Sequence, residues 1–152
     1  MIDEIDKKIL QLVQRDNQLT SAELSERVGL SPTSVQRRLH RMRDRQIIEK
    51  DIAVVSTAAI GRPLTMLVSV ELERERSDII DRFKKSVRGC AAVQSAYYVT
   101  GETDFVLIVT AKDMEDYESF TRDFLYNNLD IKGFKTTVVM DRIKASFELP
   151  LD

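Results

Sequence analysis

The sequence predicts an α+β chain: an N-terminal (winged) helix-turn-helix domain followed by a ferredoxin-like βαββαβ domain. Three observations carry this. Between Thr20 and Met42 lie two separate helix-start signals with a glycine between them. After Pro63 the apolar spacing changes from threes and fours to alternation. Charge divides at the same place. Residues 1–50 hold ten Lys/Arg and eight Asp/Glu, net +2, and residues 51–152 hold 13 and 17, net −4.

In the first half, Ile5, Ile9, Leu12 and Val13 mark one apolar edge and predict a helix over about 3–15, ended by Asp16-Asn17-Gln18. Thr20 and Glu23 have the spacing of a capping box, in which a hydroxyl and a carboxylate each satisfy an amide at the helix start. A second helix follows over 21–28, with Ala22, Leu24 and Val28 inward. Gly29 stands where a left-handed residue ends a helix. Leu30 plugs the turn. Ser31 is a good N-cap and Pro32 a good first residue, because its missing N–H is not needed there. A third helix then runs over 31–43. A short helix, a tight glycine turn and a capped helix together make a helix-turn-helix.

Ile47 to Val55 is rich in β-branched residues and suits a short wing or linker strand, and Ser56 to Pro63 is the expected joint. Beyond it, Met66, Val68, Val70 and Leu72 alternate as in a strand. Ile79, Ile80, Phe83 and Val87 have helical spacing. Val93 to Thr100 and Phe105 to Val109 are strands joined at Gly101-Glu102-Thr103. Met114, Tyr117, Phe120 and Phe124 mark a helix, and Lys135 to Met140 a last strand reaching toward Phe147. The expected domains are 1–50, a hinge over 51–63, and 64–152.

Composition narrows the function. No apolar run approaches the roughly 18 residues of a membrane span. Met1-Ile2-Asp3-Glu4 lacks the basic and apolar regions of a secretory signal, so a cytoplasmic protein without a membrane partner is expected. Cys90 is the single cysteine and His40 the single histidine, which leaves no disulfide, no multi-cysteine metal site and no histidine partner for catalysis. No cofactor, metal or enzymatic activity is expected.

The third helix carries the chemistry. Val35, Leu39 and Met42 fall on one edge. At about 100° per residue, Thr33, Arg37, His40 and Arg41 point the other way. Residues 31–50 contain six basic and two acidic residues, net +4. Hydroxyls in the first turn and arginines beyond it suit phosphate and guanine in double-stranded DNA. Ser31, Thr33, Ser34, Arg37 and Arg41 are the expected contacts. Gln36, at the flank, has an amide suited to adenine, and Arg38, nearer the core edge, is expected on phosphate.

With both halves in view, the chain resembles the Lrp/AsnC (feast/famine) family of transcriptional regulators over nearly its whole length. The resemblance rests on Ile5-Asp6-Lys7-Lys8-Ile9-Leu10, Leu24-Ser25-Glu26-Arg27-Val28-Gly29-Leu30-Ser31 and Ile47-Ile48. In the second half it rests on Gly101-Glu102-Thr103-Asp104-Phe105 and Thr136-Thr137-Val138-Val139-Met140, in that order and spacing. It implies homodimers paired through the βαββαβ domains, assembling further into tetramers or octamers. It also implies an amino acid or related metabolite as effector, held near the turn between the second and third strands where dimers meet. Taken alone, Tyr98 to Asp104 reads as a hairpin. The resemblance makes Tyr98, Thr100, Gly101, Glu102, Asp104, Thr136 and Thr137 the expected effector site. There Gly101 admits a ligand to the backbone, and Asp104 pairs with an α-ammonium. Glu102 disfavours an acidic effector. The rival class is an enzyme of the haem-pathway decarboxylase type, which shares a similar two-domain architecture. Its members are thought to use histidines in the second domain, and this chain has none after His40.

Overall fold

Asp3 opens the first helix, α1 (Glu4–Val13), through a reciprocal capping box: the Asp6 amide donates to Asp3 Oδ1 at 2.8 Å and the Asp3 amide to Asp6 Oδ2 at 3.1 Å. The second helix, α2 (Ser21–Val28), starts with the Thr20–Glu23 box and stops at Gly29, whose φ is +74°. The third, α3 (Pro32–Asp44), is capped by Ser31 Oγ, which accepts from the Ser34 amide at 3.2 Å. The computed structural model describes residues 1–152, and its contacts separate two units: Met1–Val54 with Ile143–Asp152, and Val55–Arg142.

In the helical unit Ile9, Leu24, Val35 and Met42 are fully buried, and Leu10 and Leu39 nearly so. Neither the expected wing nor a linker strand forms over 47–55 within the chain. The amides of Ile47 and Ile48 instead fold back onto the Met42 carbonyl, at 2.8 and 3.1 Å, and finish α3. Beyond them Ile52, Val54 and Val55 are exposed and irregular, because the unit offers no second strand to pair with.

The last residues of the expected second domain, 64–152, pack by contact with the helical unit. Ile143–Asp152 belongs to the helical unit, where Leu151 packs on the helical core. The Gln14 side chain bonds the Leu149 backbone in both directions, at 2.7 and 3.1 Å. Lys7 Nζ donates to the Asp152 carbonyl at 2.9 Å, and Arg15 meets Glu148 at 2.7 Å.

The second unit is a four-stranded antiparallel sheet in the order β2-β3-β1-β4, formed by β1 (Leu64–Leu72), β2 (Val93–Tyr98), β3 (Phe105–Ala111) and β4 (Ile131–Val138). One face carries Met66, Val68, Val70, Phe105, Leu107 and Val109, all buried under α4 (Ser77–Arg88) and α5 (Met114–Phe120). The chain continues past α5 as a π-helix over Thr121–Tyr126. This is the ferredoxin-like βαββαβ arrangement. The opposite face has no helix over it, and Leu67 and Tyr97 lie exposed there at 39% and 56%. The last strand starts earlier than expected and ends at Val138 rather than running toward Phe147. Gly133 pairs with Glu71 beside a register shift, a place where a missing side chain does little harm.

Candidate nucleic-acid interface and effector turn

With Val35, Leu39 and Met42 locked inward, the outer face of α3 has no freedom to roll. Thr33, Gln36, Arg37 and His40 are exposed on it. Together with Arg41, Asp44 and Arg45 they line an open groove of about 580 Å³. Asp44 and Arg45 were not singled out from the sequence. The signal for Arg45 is there, one turn beyond Arg41 and two beyond Arg37. No carboxylate lies within ion-pair distance of Arg37 or Arg45.

Arg38 and Arg41 differ from Arg37. Arg38 Nη1 lies 2.6 Å from Asp3 Oδ2 and 2.9 Å from Asp6 Oδ1. Arg41 Nη2 lies 2.8 and 2.7 Å from the two oxygens of Asp6. Asp6 is 1% exposed. The bond from Arg38 holds the Asp3 carboxyl below its ordinary value, and the bonds to Asp3 and Asp6 raise the Arg38 guanidinium. Arg41 thus lines the groove, as expected of its place on the helix, with one end of its guanidinium tied to α1. Sequence periodicity marks which way a Cα–Cβ bond points, but a long arginine can turn back to a carboxylate on the next helix. Ser31 is also committed. Its oxygen takes the Ser34 amide and its proton goes to Ser34 Oγ at 2.9 Å, leaving Ser34 half-buried.

In the sheet unit the turn between β2 and β3 is closed by the Val99 amide on the Asp104 carbonyl, at 2.9 Å. Gly101 has φ +115°, with nothing within 4 Å of where a Cβ would stand. Thr100, Gly101 and Glu102 are exposed. Asp104 was expected to hold an ammonium group, but its Oδ2 accepts from the Leu72 amide at 2.7 Å. The β1–β3 ladder ends at Val70–Phe105, so Leu72 has no β3 carbonyl to bond and takes the carboxylate instead. Thr103 Oγ1 donates to the Val70 carbonyl at 2.8 Å. Tyr98 packs on Phe105, ring centroids 5.0 Å apart, with Lys84 Nζ 5.0 Å from its own ring.

The two threonines do not join this turn within one chain. Thr136 stands opposite Val68 and Thr137 opposite Leu67, so they face opposite sides of the sheet. The Thr136 hydroxyl bonds that of Tyr117, whose phenol burial pushes above its ordinary value. β1 also lies between β4 and the strand that carries the turn, a gap of about 10 Å at ordinary strand spacing.

Comparison with known proteins gives a consistent result. Residues 2–43 match the AsnC-type helix-turn-helix domain, and residues 65–149 match the Lrp/AsnC ligand binding domain. An uncharacterised HTH-type transcriptional regulator of Sinorhizobium fredii is 60% identical over 151 residues, 99% of this chain and 89% of that protein. The leucine-responsive regulatory protein of Escherichia coli K12 is 30% identical, covering 97% of this chain and 90% of its own. Among solved structures, a transcriptional regulator from Neisseria meningitidis in complex with L-methionine superposes with a TM-score of 0.95. It is 34% identical and covers 100% of this chain and 98% of its own.

Proposed function

This chain belongs to the Lrp/AsnC family of transcriptional regulators, and from that premise we propose that α3 reads double-stranded DNA while the β2–β3 turn senses an amino acid. The carrying observation is the outer face of α3. A fixed inner edge presents Thr33, Gln36 and Arg37 together, with His40 and Arg45 on the same groove. Arg37 is the guanine or phosphate contact and Gln36 the adenine contact. Arg38, held on α1, reaches phosphate with its free nitrogens and Arg41 turns its free edge to the groove, while the Ser34 hydroxyl and the Thr33 amide meet the backbone.

The regulator works in the cytoplasm as a homodimer or higher assembly. Support for pairing comes from the uncovered sheet face, where Leu67 and Tyr97 are exposed beside half-buried Val106 and Ile108. The open turn and the separation of Thr136 and Thr137 from it favour an effector pocket completed by a second copy. The methionine found in the relative from Neisseria supports a neutral amino acid here, as does the exposed carboxylate of Glu102. A thermal-shift panel of amino acids tests this: neutral ones raise the melting temperature, and a rise with glutamate or aspartate alone refutes the effector assignment. For the DNA face, Arg37→Ala weakens binding in a gel shift. Unchanged binding by that variant refutes the assignment of the face.

A further inference from the structure

Asp6 is a carboxylate buried to 1% exposure inside a DNA-reading head, and its burial goes with the arrangement of two arginines on α3. A buried carboxylate is tolerated only when paired and hydrogen-bonded. Asp6 meets that condition three times over: from Arg38, from Arg41 and from the Asp3 amide. Each guanidinium has five N–H donors on three nitrogens. Arg38 spends only Nη1 on the carboxylates and Arg41 only Nη2. Both side chains remain partly exposed, at 21% and 39%. Their unspent nitrogens therefore stand at fixed places on the same element as Thr33 and Arg37.

Charge sharpens the point. Asp3 and Asp6 cancel Arg38 and Arg41, so this cluster adds no net attraction for DNA. Sequence-independent attraction rests on unpaired cations such as Arg37 and Arg45. What the cluster adds is geometry.

We infer that Asp6 is a positioning residue for DNA recognition: it orients Arg38 and Arg41 so that their free edges meet the duplex in one register. The inference rests on the proposed role of α3. It makes a prediction opposite in sign to simple electrostatics. Removing a negative charge near DNA should tighten binding to any duplex, because less repulsion opposes the phosphates. Removing an aligner should weaken binding to the preferred duplex alone.

The test uses the full-length chain and two probes: a duplex enriched by the wild-type protein from a random library, and an unselected duplex of the same length. Asp6→Asn keeps the shape and removes the charge. It is expected to bind the enriched duplex about tenfold more weakly and the unselected duplex equally or more tightly. Arg41→Lys is the second variant, because it keeps the charge on a more exposed side chain. A lysine ammonium is one point charge and cannot pair Asp6 and present a planar fork together. It should lose discrimination in the same direction. The double variant should lose less than the sum of the two, since both act through one contact. If Asp6→Asn weakens both probes and melts early, the fold has failed and Arg41→Lys decides. An unchanged ratio of the two affinities in Arg41→Lys, or in a stably folded Asp6→Asn, overturns the inference. If the wild-type protein enriches no duplex at all, the DNA-reading role of α3 falls and this inference with it.

Discussion

Arg37 and Arg41 stand one helical turn apart on α3, yet only Arg37 is free. Its guanidinium has no carboxylate in reach, so its full charge is available to DNA, whereas Arg41 shares its charge with Asp6. Arg37→Ala should therefore reduce the salt dependence of binding by about one counterion, read as the slope of log affinity against log salt. Asp104 teaches the reverse lesson. Its carboxylate satisfies the Leu72 amide at the end of the ladder, so Asp104→Ala should cost about 1–2 kcal/mol of stability even without effector. A denaturant melt without ligand measures it, and an unchanged midpoint would return Asp104 to a purely ligand-binding role. Three other carboxylates give the fold a modest sensitivity to acid. Arg38 beside Asp3, Arg43 beside Asp51 and Arg82 beside Asp130 each hold an aspartate below its ordinary value. A lowered folded-state pKa stabilises the fold above the unfolded value, and that contribution is lost as pH falls through the folded one. Stability should be flat near neutrality and decline below about pH 4. A melting temperature that fell between pH 7 and pH 5 would point to other groups.

Elements whose ends are set by local chemistry were legible in the sequence. Thr20 with Glu23, Gly29, and Ser31 with Pro32 each bond or bend within their own turn, and the structure places them as read. The same locality predicts a cost. Gly29 has φ +74° with open space around it, so Gly29→Ala brings no clash, only the left-handed backbone strain of about 1–2 kcal/mol. Thermal melting of the variant checks this. Elements defined by distant partners were not legible. The 47–55 segment has strand-like residues, but a strand exists only if another strand lies beside it, and composition does not say so. The early start of β4, Ile131 to Phe134, is set by its pairing with β1 across the register shift at Glu71–Leu72, which lies on a different strand. Asp6 stood out in the sequence only as part of the Ile5–Leu10 motif that carries the family resemblance. Its partners lie 32 and 35 positions away, and no periodicity in α1 points to them.

Across the whole molecule, the chain passes between the two units twice, after Val54 and again after Arg142. The sequence expectation of a last strand reaching toward Phe147 does not mark the second passage, because the contacts that make it lie on α1, far back in the chain. What holds the end of the chain is a glutamine amide, a lysine, an arginine and one leucine rather than a strand or a helix. That fastening can be tested by cutting it. Deleting Glu148 to Asp152 removes the partly buried Leu151 and the paired bonds to Gln14. A loss of about 1–2 kcal/mol is expected from the apolar contact, enough to lower the melting point of a small helical unit by roughly 5–10 °C. The chain supplies its own reporters for where the loss falls. All four tyrosines, Tyr97, Tyr98, Tyr117 and Tyr126, lie in the sheet unit, and the unit of α1–α3 has none. Far-UV dichroism, with its large share from α1–α3, should therefore show part of its transition at lower temperature, while the near-UV tyrosine signal melts as before. A parallel drop in both would mean that the last five residues support the sheet unit as well. No change in either would mean that the contacts on α1 contribute nothing to holding the helices together.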